Sequence, residues 1–184
     1  MSQSPFDPTS AVEFDVRSGT VALRGSERSV LVGVDVLIRF CEAAGEEATK
    51  DFARSVGTEA GKRLADALRD GPEGATVESV VDHLGGDLAV LGLGSLSVER
   101  WANALLLVVE QSPFGPAGDV FVAGVLEGAM ARGLAREATL VPLSHTDGTV
   151  RLLVTNPVTA AKVRGWLGQG QSVGQILEQL NSGG

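Results

Sequence analysis

The stretch FVAGVLEGAMARGL, residues 121–134, places Gly124 and Gly128 four positions apart in a pattern that otherwise predicts a helix. A glycine inside a helix costs about 1 kcal/mol relative to alanine, so an offsetting gain is expected. The simplest gain is the close approach of another backbone or of a ligand. The segment EEATKDFARSVGTEAGKRLADALRDG, residues 46–71, repeats the spacing at Gly57 and Gly61. We therefore expect two helices that each carry a pair of glycines on one face. Each helix should lie close to another backbone or a ligand at these glycines.

Length and composition predict one ordinary globular domain. The chain has 184 residues, of which 43% are hydrophobic and 21% charged, so it can bury a continuous core. A net charge of -8 disfavours nucleic acid and anionic lipid as partners. No apolar run reaches the ~18 residues of a membrane span, and the single cysteine, Cys41, excludes an internal disulfide. These features lead us to expect a cytoplasmic protein without membrane insertion.

The first half of the chain is predicted to be mainly helical. Residues 1–12 have the composition of a flexible tail, and residues 13–184 form one domain that begins with a short hairpin. An amphipathic helix is predicted over 30–45, a second over 46–70, and a third from Thr76 to Gly85 and Gly86. The runs 88–94 and 100–113 then predict two strands, although a helix over 99–109 stays possible.

The second half predicts strands grouped with helices. The opening helix, over 117–133, is followed by a hairpin over 137–156 with a polar turn at 145–148. Pro157 suits the first turn of a further helix, and residues 172–180 predict a last amphipathic one. This order predicts an α+β fold in which helices pack on a small antiparallel sheet.

Residues that could carry chemistry are few and scattered. Gly92 and Gly94 suggest the start of a nucleotide-binding loop, but Ser97 occupies the third glycine position, so a structural turn is favoured. Neither His83 nor His145 has metal-ligand spacing, and SHTDG, residues 144–148, is typical of an exposed hairpin turn. The scattered acidic residues are interpreted as solvated, with the role of Glu127 left open. We therefore expect no enzyme activity, no metal and no cofactor.

The order of elements resembles a known family. The segments RSVGTEAGKRLADAL, HLGGDLAVLGLGSLSVERWANALLLVVEQSP, DVFVAGVLEGAMARGL and EATLVPLSHTDGTVRLLVT are similar to the 4-vinyl-reductase domain. That domain shares its fold with subunits of the TRAPP vesicle-tethering complex and with sensor domains of activators of aromatic catabolism. The resemblance covers about residues 15–156. It implies helices against an antiparallel sheet, commonly dimerised through helices, with an apolar pocket between the layers.

The chain departs from this family at the positions of its metal site. The zinc-binding sensors carry cysteines before the notched helix and in the last hairpin, with a glutamate between. The matching positions here are Asp119, Val141, Ser144 and Leu152. These residues cannot form that site, so metal-dependent phenol sensing is not expected. The acylated cysteine of the tethering subunits has only Cys41 as a counterpart, and the role of Cys41 stays open.

Two hypotheses of function follow. The first is a non-enzymatic, homodimeric adaptor or scaffold for another protein, because a full core lacks a catalytic set. The alternative is a sensor or carrier that holds an apolar small molecule or lipid between helices and sheet. The residues expected to line the binding site are Phe52, Val56, Gly57, Gly61, Leu64, Trp101, Gly124, Val125 and Gly128.

Overall fold

Six helices and seven strands lie within the residues that the computed structural model describes, which are 6–24, 28–68 and 76–182. In chain order they are β1 Val12–Asp15, β2 Thr20–Leu23, β3 Arg28–Ser29, α1 Val34–Ala44, α2 Glu46–Ala67, α3 Val77–Val90, β4 Ser95–Trp101, β5 Ala104–Glu110, α4 Asp119–Leu134, β6 Thr139–Thr146, β7 Thr149–Thr155, α5 Pro157–Gly168 and α6 Val173–Ser182. The predicted α+β class is confirmed. None of these helices combines the length and apolar composition needed to cross a bilayer.

The main sheet has the strand order β4-β5-β7-β6, and its neighbouring strands run antiparallel. Side chains of β5 alternate between the two faces of the sheet, as the twofold period of a strand requires. Leu107 and Val109 point to the face covered by α2, α3 and α4, whereas Leu106 joins the cluster formed with α5 and α6. The sheet is therefore buried on both faces, which explains the nearly continuous apolar run of β5. A second, smaller antiparallel sheet has the order β1-β2-β3.

Helix α3 is longer than the sequence predicts. The glycine pair at 85–86 was expected to end the helix, but the helix continues to Val90 and buries Leu84 and Leu88 one turn apart. Gly86 instead allows Phe6 to pack closely on α3, because the ring of Phe6 occupies the space that a Cβ atom there would need. The glycine pair reduces helix propensity, and the burial of the apolar face offsets that loss.

The strand predicted over 88–94 is therefore wrong. Its first residues complete α3, and the chain then turns where Gly92 and Gly94 adopt φ angles of +72° and +113°. These angles suit glycine, so the interpretation of this segment as a structural turn is confirmed. A Cβ atom at Gly94 would also overlap the carbonyl oxygen of Glu110.

The buried strand predicted over 100–113 is confirmed as β5, but it is shorter than predicted because the segment also contains a turn. The alternative helix over 99–109 is wrong. Strand β4 ends at Trp101, and β5 begins at Ala104 and pairs with it antiparallel. Ala102 adopts φ +53°, a left-handed conformation that alanine rarely takes. Neither glycine nor proline marks this turn, so local composition did not predict it.

The segment from residue 6 onward has defined contacts where the sequence predicts a flexible tail over 1–12; residues 1–5 lie outside the described ranges. The backbone N–H of Phe6 donates to Asp82 at 2.7 Å, and its ring lies edge-on to His83 with centroids 6.3 Å apart. Asp7 caps a short 3-10 turn over Pro8–Ser10, and β1 begins at Val12. Contacts with α3, which lies far away in sequence, order this segment.

Candidate functional site

Four phenylalanines form an aromatic row that runs from the surface into the core: Phe40 on α1, Phe52 on α2, Phe121 on α4 and Phe114 in the loop before α4. Successive ring centroids lie 5.7, 6.1 and 5.2 Å apart, within the range of attractive aromatic pairs. Phe40 and Phe52 are 55% and 40% exposed, whereas Phe121 and Phe114 are buried. The row therefore has two rings that are accessible to solvent and two that lie in the core.

The four predicted glycines lie where α2 and α4 cross in close contact. A Cβ atom at Gly57 would overlap the carbonyl oxygen of Val125, and one at Gly128 would overlap that of Arg54. At Gly61 the Cβ position is 2.6 Å from the carbonyl oxygen of Ala129.

Gly124 is the fourth glycine at this helix crossing. Its Cβ position is 2.8 Å from the Cβ atom of Ala53. Each helix therefore receives the backbone or a short side chain of the other, and the glycines allow helix packing. Their expected contact with a ligand stays a prediction.

The apolar residues expected to line the site are only partly brought together. Leu64 and Val125 are buried between α2 and α4, and Val56 packs against the same cluster from a half-buried position. Phe52 belongs to the aromatic row. Trp101 lies elsewhere, because it pairs directly with Ala104, whose side chain joins the cluster on the opposite face of the sheet. Trp101 is half exposed and donates its ring N–H to Glu99 at 3.2 Å.

Glu127 joins three elements in the buried layer. Its carboxylate accepts hydrogen bonds from Arg54 at 2.7 and 3.0 Å and lies 3.8 Å from Lys50. Its other oxygen accepts the backbone N–H of Leu140 at 2.9 Å, at the start of β6. Glu127 therefore ties α4 to α2 and to the sheet. Both oxygens of this buried carboxylate have partners within the chain, so Glu127 stabilises the arrangement of these elements.

A second, partly buried pair joins α4 to the last hairpin. The imidazole Nδ1 of His145 lies 2.7 Å from a carboxylate oxygen of Asp119. The turn predicted for residues 145–148 is wrong at its first two residues, because β6 continues to Thr146 and the turn is formed by Asp147 and Gly148.

A β-bulge in β6 explains why this histidine is partly buried beside α4. Pro142 pairs with Leu152, but Ser144 pairs with Arg151, so one residue of β6 is extra. The bulge reverses the alternation and sets His145 opposite Val150, a residue of the face that α4 covers. Burial raises the pKa of Asp119, and the hydrogen bond and charge of His145 lower it in part.

One acidic residue that was predicted to be solvated, Asp87, is buried, so that prediction is wrong. Asp87 on α3 accepts a hydrogen bond from Arg63 on α2 at 2.9 Å. Burial raises the pKa of Asp87, and the nearby guanidinium of Arg63 offsets part of that effect. The pair ties α3 to α2. The sequence gave no signal for this pair, since an acid on an amphipathic helix could equally face solvent.

The positions that match the zinc ligands of the sensor family do not converge. Val141 and Leu152 are buried in the clusters on opposite faces of the sheet, and Asp119 is paired with His145. Within the described ranges no group of three or more His, Cys, Asp or Glu side chains could hold a metal ion. The chemistry of this layer is therefore apolar and aromatic, with buried charges paired inside the protein.

Fold and layer arrangement define an α+β domain with an antiparallel sheet between helices. No family model matches the chain, and no curated protein matches it either. Among solved structures, the chain is similar to the phenol-responsive sensory domain of the transcription activator PoxR, crystallised with phenol. The TM-score is 0.59 at 15% identity, over 79% of this chain and 85% of that chain. This likeness shows a shared fold.

Proposed function

We propose that this protein is a small-molecule-binding sensory module that holds an apolar, ring-bearing compound against the aromatic row. The observation that carries the proposal is the row itself. Two of its rings lie open to solvent, at 55% and 40% exposure, and are continuous with two that are buried. An aromatic ligand would displace water from the two exposed rings and make edge-on and offset contacts with them.

The likeness to a sensory domain that was crystallised with phenol supports the same class of ligand. Buried charges nearby are satisfied by partners within the chain, so the recognised compound is expected to be uncharged. Recognition through ring contacts and apolar burial favours a small aromatic molecule over a long lipid chain. The absence of catalytic activity belongs to this proposal, since a sensory module needs only to bind.

Calorimetric titration of the full chain with phenol, toluene and cyclohexane tests the proposal. We expect the two aromatic compounds to bind more tightly than cyclohexane. Phe52→Ala should weaken binding about tenfold, because it removes the ring between the exposed and buried parts of the row. Val158→Ala is the matched control, since Val158 is an exposed apolar residue on α5, away from the row. Absence of heat with all three compounds at millimolar concentration would refute the proposal.

The adaptor hypothesis is a second candidate. It is favoured by exposed apolar residues on and before α1, among them Val30, Leu31 and Val36. A homodimer, a protein partner, a relation to the 4-vinyl-reductase and TRAPP families, and a cytoplasmic location all stay predictions.

A further inference from the structure

Helix α1 is attached to the domain by few buried contacts. None of its eleven residues is buried. Its inner face packs against the main core through three half-buried side chains, those of Leu37, Ile38 and Cys41. Its outer side carries exposed charged residues, among them Asp35 and Arg39. An element with so little buried surface opens locally at a lower free energy than the core does.

A single residue, Gly45, joins α1 to α2. It adopts φ +83° and ψ 169°, a backbone region that is essentially confined to glycine. No described atom beyond its chain neighbours lies within 4 Å of the Cβ position there, so surrounding side chains do not obstruct this joint. At the other end of α1, residues 30–33 form an exposed segment outside any helix or strand. The helix can therefore turn about Gly45 as a rigid unit.

Thr49 on α2 holds α1 in its observed position. The hydroxyl of this buried threonine donates to the carbonyl oxygen of Cys41 at 3.0 Å. The same oxygen accepts the backbone N–H of Gly45 at 3.1 Å. One hydroxyl thus ties the last turn of α1 to α2 across the joint. A single neutral hydrogen bond contributes modestly to stability, so this contact can break and form again reversibly.

We propose that α1 is a lid over the ligand site and opens by rotation about Gly45. Phe40 links α1 to the aromatic row, with its ring centroid 5.7 Å from that of Phe52. Opening separates these two rings and uncovers the inner face of α1, so a ring-bearing compound can enter beside Phe52. Closure then covers the compound with Leu37 and Cys41 and buries it. The identity of the ligand rests on the proposed function, whereas the movement of α1 can be tested without a ligand.

The single cysteine of the chain is a probe of this movement, because Cys41 lies on the inner face of α1. Its rate of reaction with a bulky maleimide is compared with that of a thiol on the outer face, introduced as Val36→Cys in a Cys41→Ala background. Val36 is 53% exposed. We expect Cys41 to react at least about tenfold more slowly than the outer thiol. Its rate should stay constant at urea concentrations below the unfolding transition, because local opening exposes little surface.

Two substitutions test the hinge and the hydrogen bond. Gly45→Ala should speed the reaction of Cys41 by on the order of tenfold, because alanine strains the closed conformation of this joint. Gly170→Ala is the matched control, since Gly170 also has a positive φ, +78°, and an open Cβ position, but lies between α5 and α6. Thr49→Val should speed the reaction about 2–10-fold. Thr58→Val, which removes a hydroxyl bonded within α2, should leave the rate unchanged.

Phenol connects the lid to the ligand site. At about ten times its Kd it should slow the reaction of Cys41 about tenfold, because the bound compound holds α1 closed. A Cys41 thiol as reactive as the outer one, reaction only through global unfolding, or an unchanged rate in Gly45→Ala would each overturn the lid.

The thiol rates and the calorimetric titration separate the lid from the proposed function. Phenol that gives heat but leaves the rate at Cys41 unchanged would overturn the lid, while the sensory function would stand. Absence of heat together with the expected rates in the ligand-free variants would refute the function and confirm the movement of α1. Circular dichroism checks that every variant is folded.

Discussion

Replacing Gly57 by alanine tests the close crossing of α2 and α4. The added Cβ atom would overlap the carbonyl oxygen of Val125, which belongs to the backbone of a buried helix and cannot rotate away. The two helices would have to separate until that contact approaches the ~3.5 Å of ordinary van der Waals packing. Overpacking of a core costs about 1–3 kcal/mol, and the rigid obstacle here places the cost near the upper end of that range.

Alanine also favours the helix by about 1 kcal/mol relative to glycine, so the net loss for Gly57→Ala is about 2 kcal/mol. In a chain of this length that loss lowers Tm by roughly 4–8 °C. Gly165→Ala is the matched control, because no described atom beyond its chain neighbours and the nearby backbone of α5 lies within 4 Å of the Cβ position at Gly165. The control should gain up to about 1 kcal/mol.

Urea denaturation followed by circular dichroism at 222 nm measures both variants against the wild type. The two substitutions add the same methyl group and differ in surroundings, so the expected changes have opposite signs. If Gly57→Ala proves as stable as the wild type, the close packing of the two backbones is not what the glycines provide. The argument from helix crossing would then fail.

Two further predictions concern buried charges. Glu127→Ala should destabilise the fold by about 1–3 kcal/mol, because it leaves the buried backbone N–H of Leu140 without its acceptor. Glu59→Ala, at an exposed ion pair, should stay within about 0.5 kcal/mol in the same urea assay. The pKa of Asp87 is raised above its ordinary value of 3.8, so the folded state binds the proton more tightly than the unfolded state. The free energy of unfolding of the wild type should therefore fall relative to Asp87→Asn as pH rises from about 3.8 through the raised pKa. Urea midpoints at several pH values check this, and a difference between the two proteins that stays constant with pH would contradict the burial of the carboxylate.

The position of His145 shows why part of the site could not be predicted. SHTDG has the composition of a turn, and only the bulge in β6 places this histidine opposite Val150 and beside Asp119. A bulge shifts every later side chain to the other face of a strand, but it leaves no mark in local composition. The partner lies 26 positions earlier on another element, so spacing gave no signal either.

The sequence by itself determined the α+β class, most of the helices, the last hairpin and the notches on α2 and α4. These features depend on periodicity, turn residues and glycine spacing, which act over a few neighbouring positions. Tertiary structure alone decided that α3 continues through Gly85 and Gly86, that Trp101 lies across the sheet from Val125, and that four phenylalanines form one row. These outcomes depend on burial against residues far away in the chain, where packing outweighs the fraction of a kilocalorie that local preference supplies at each position.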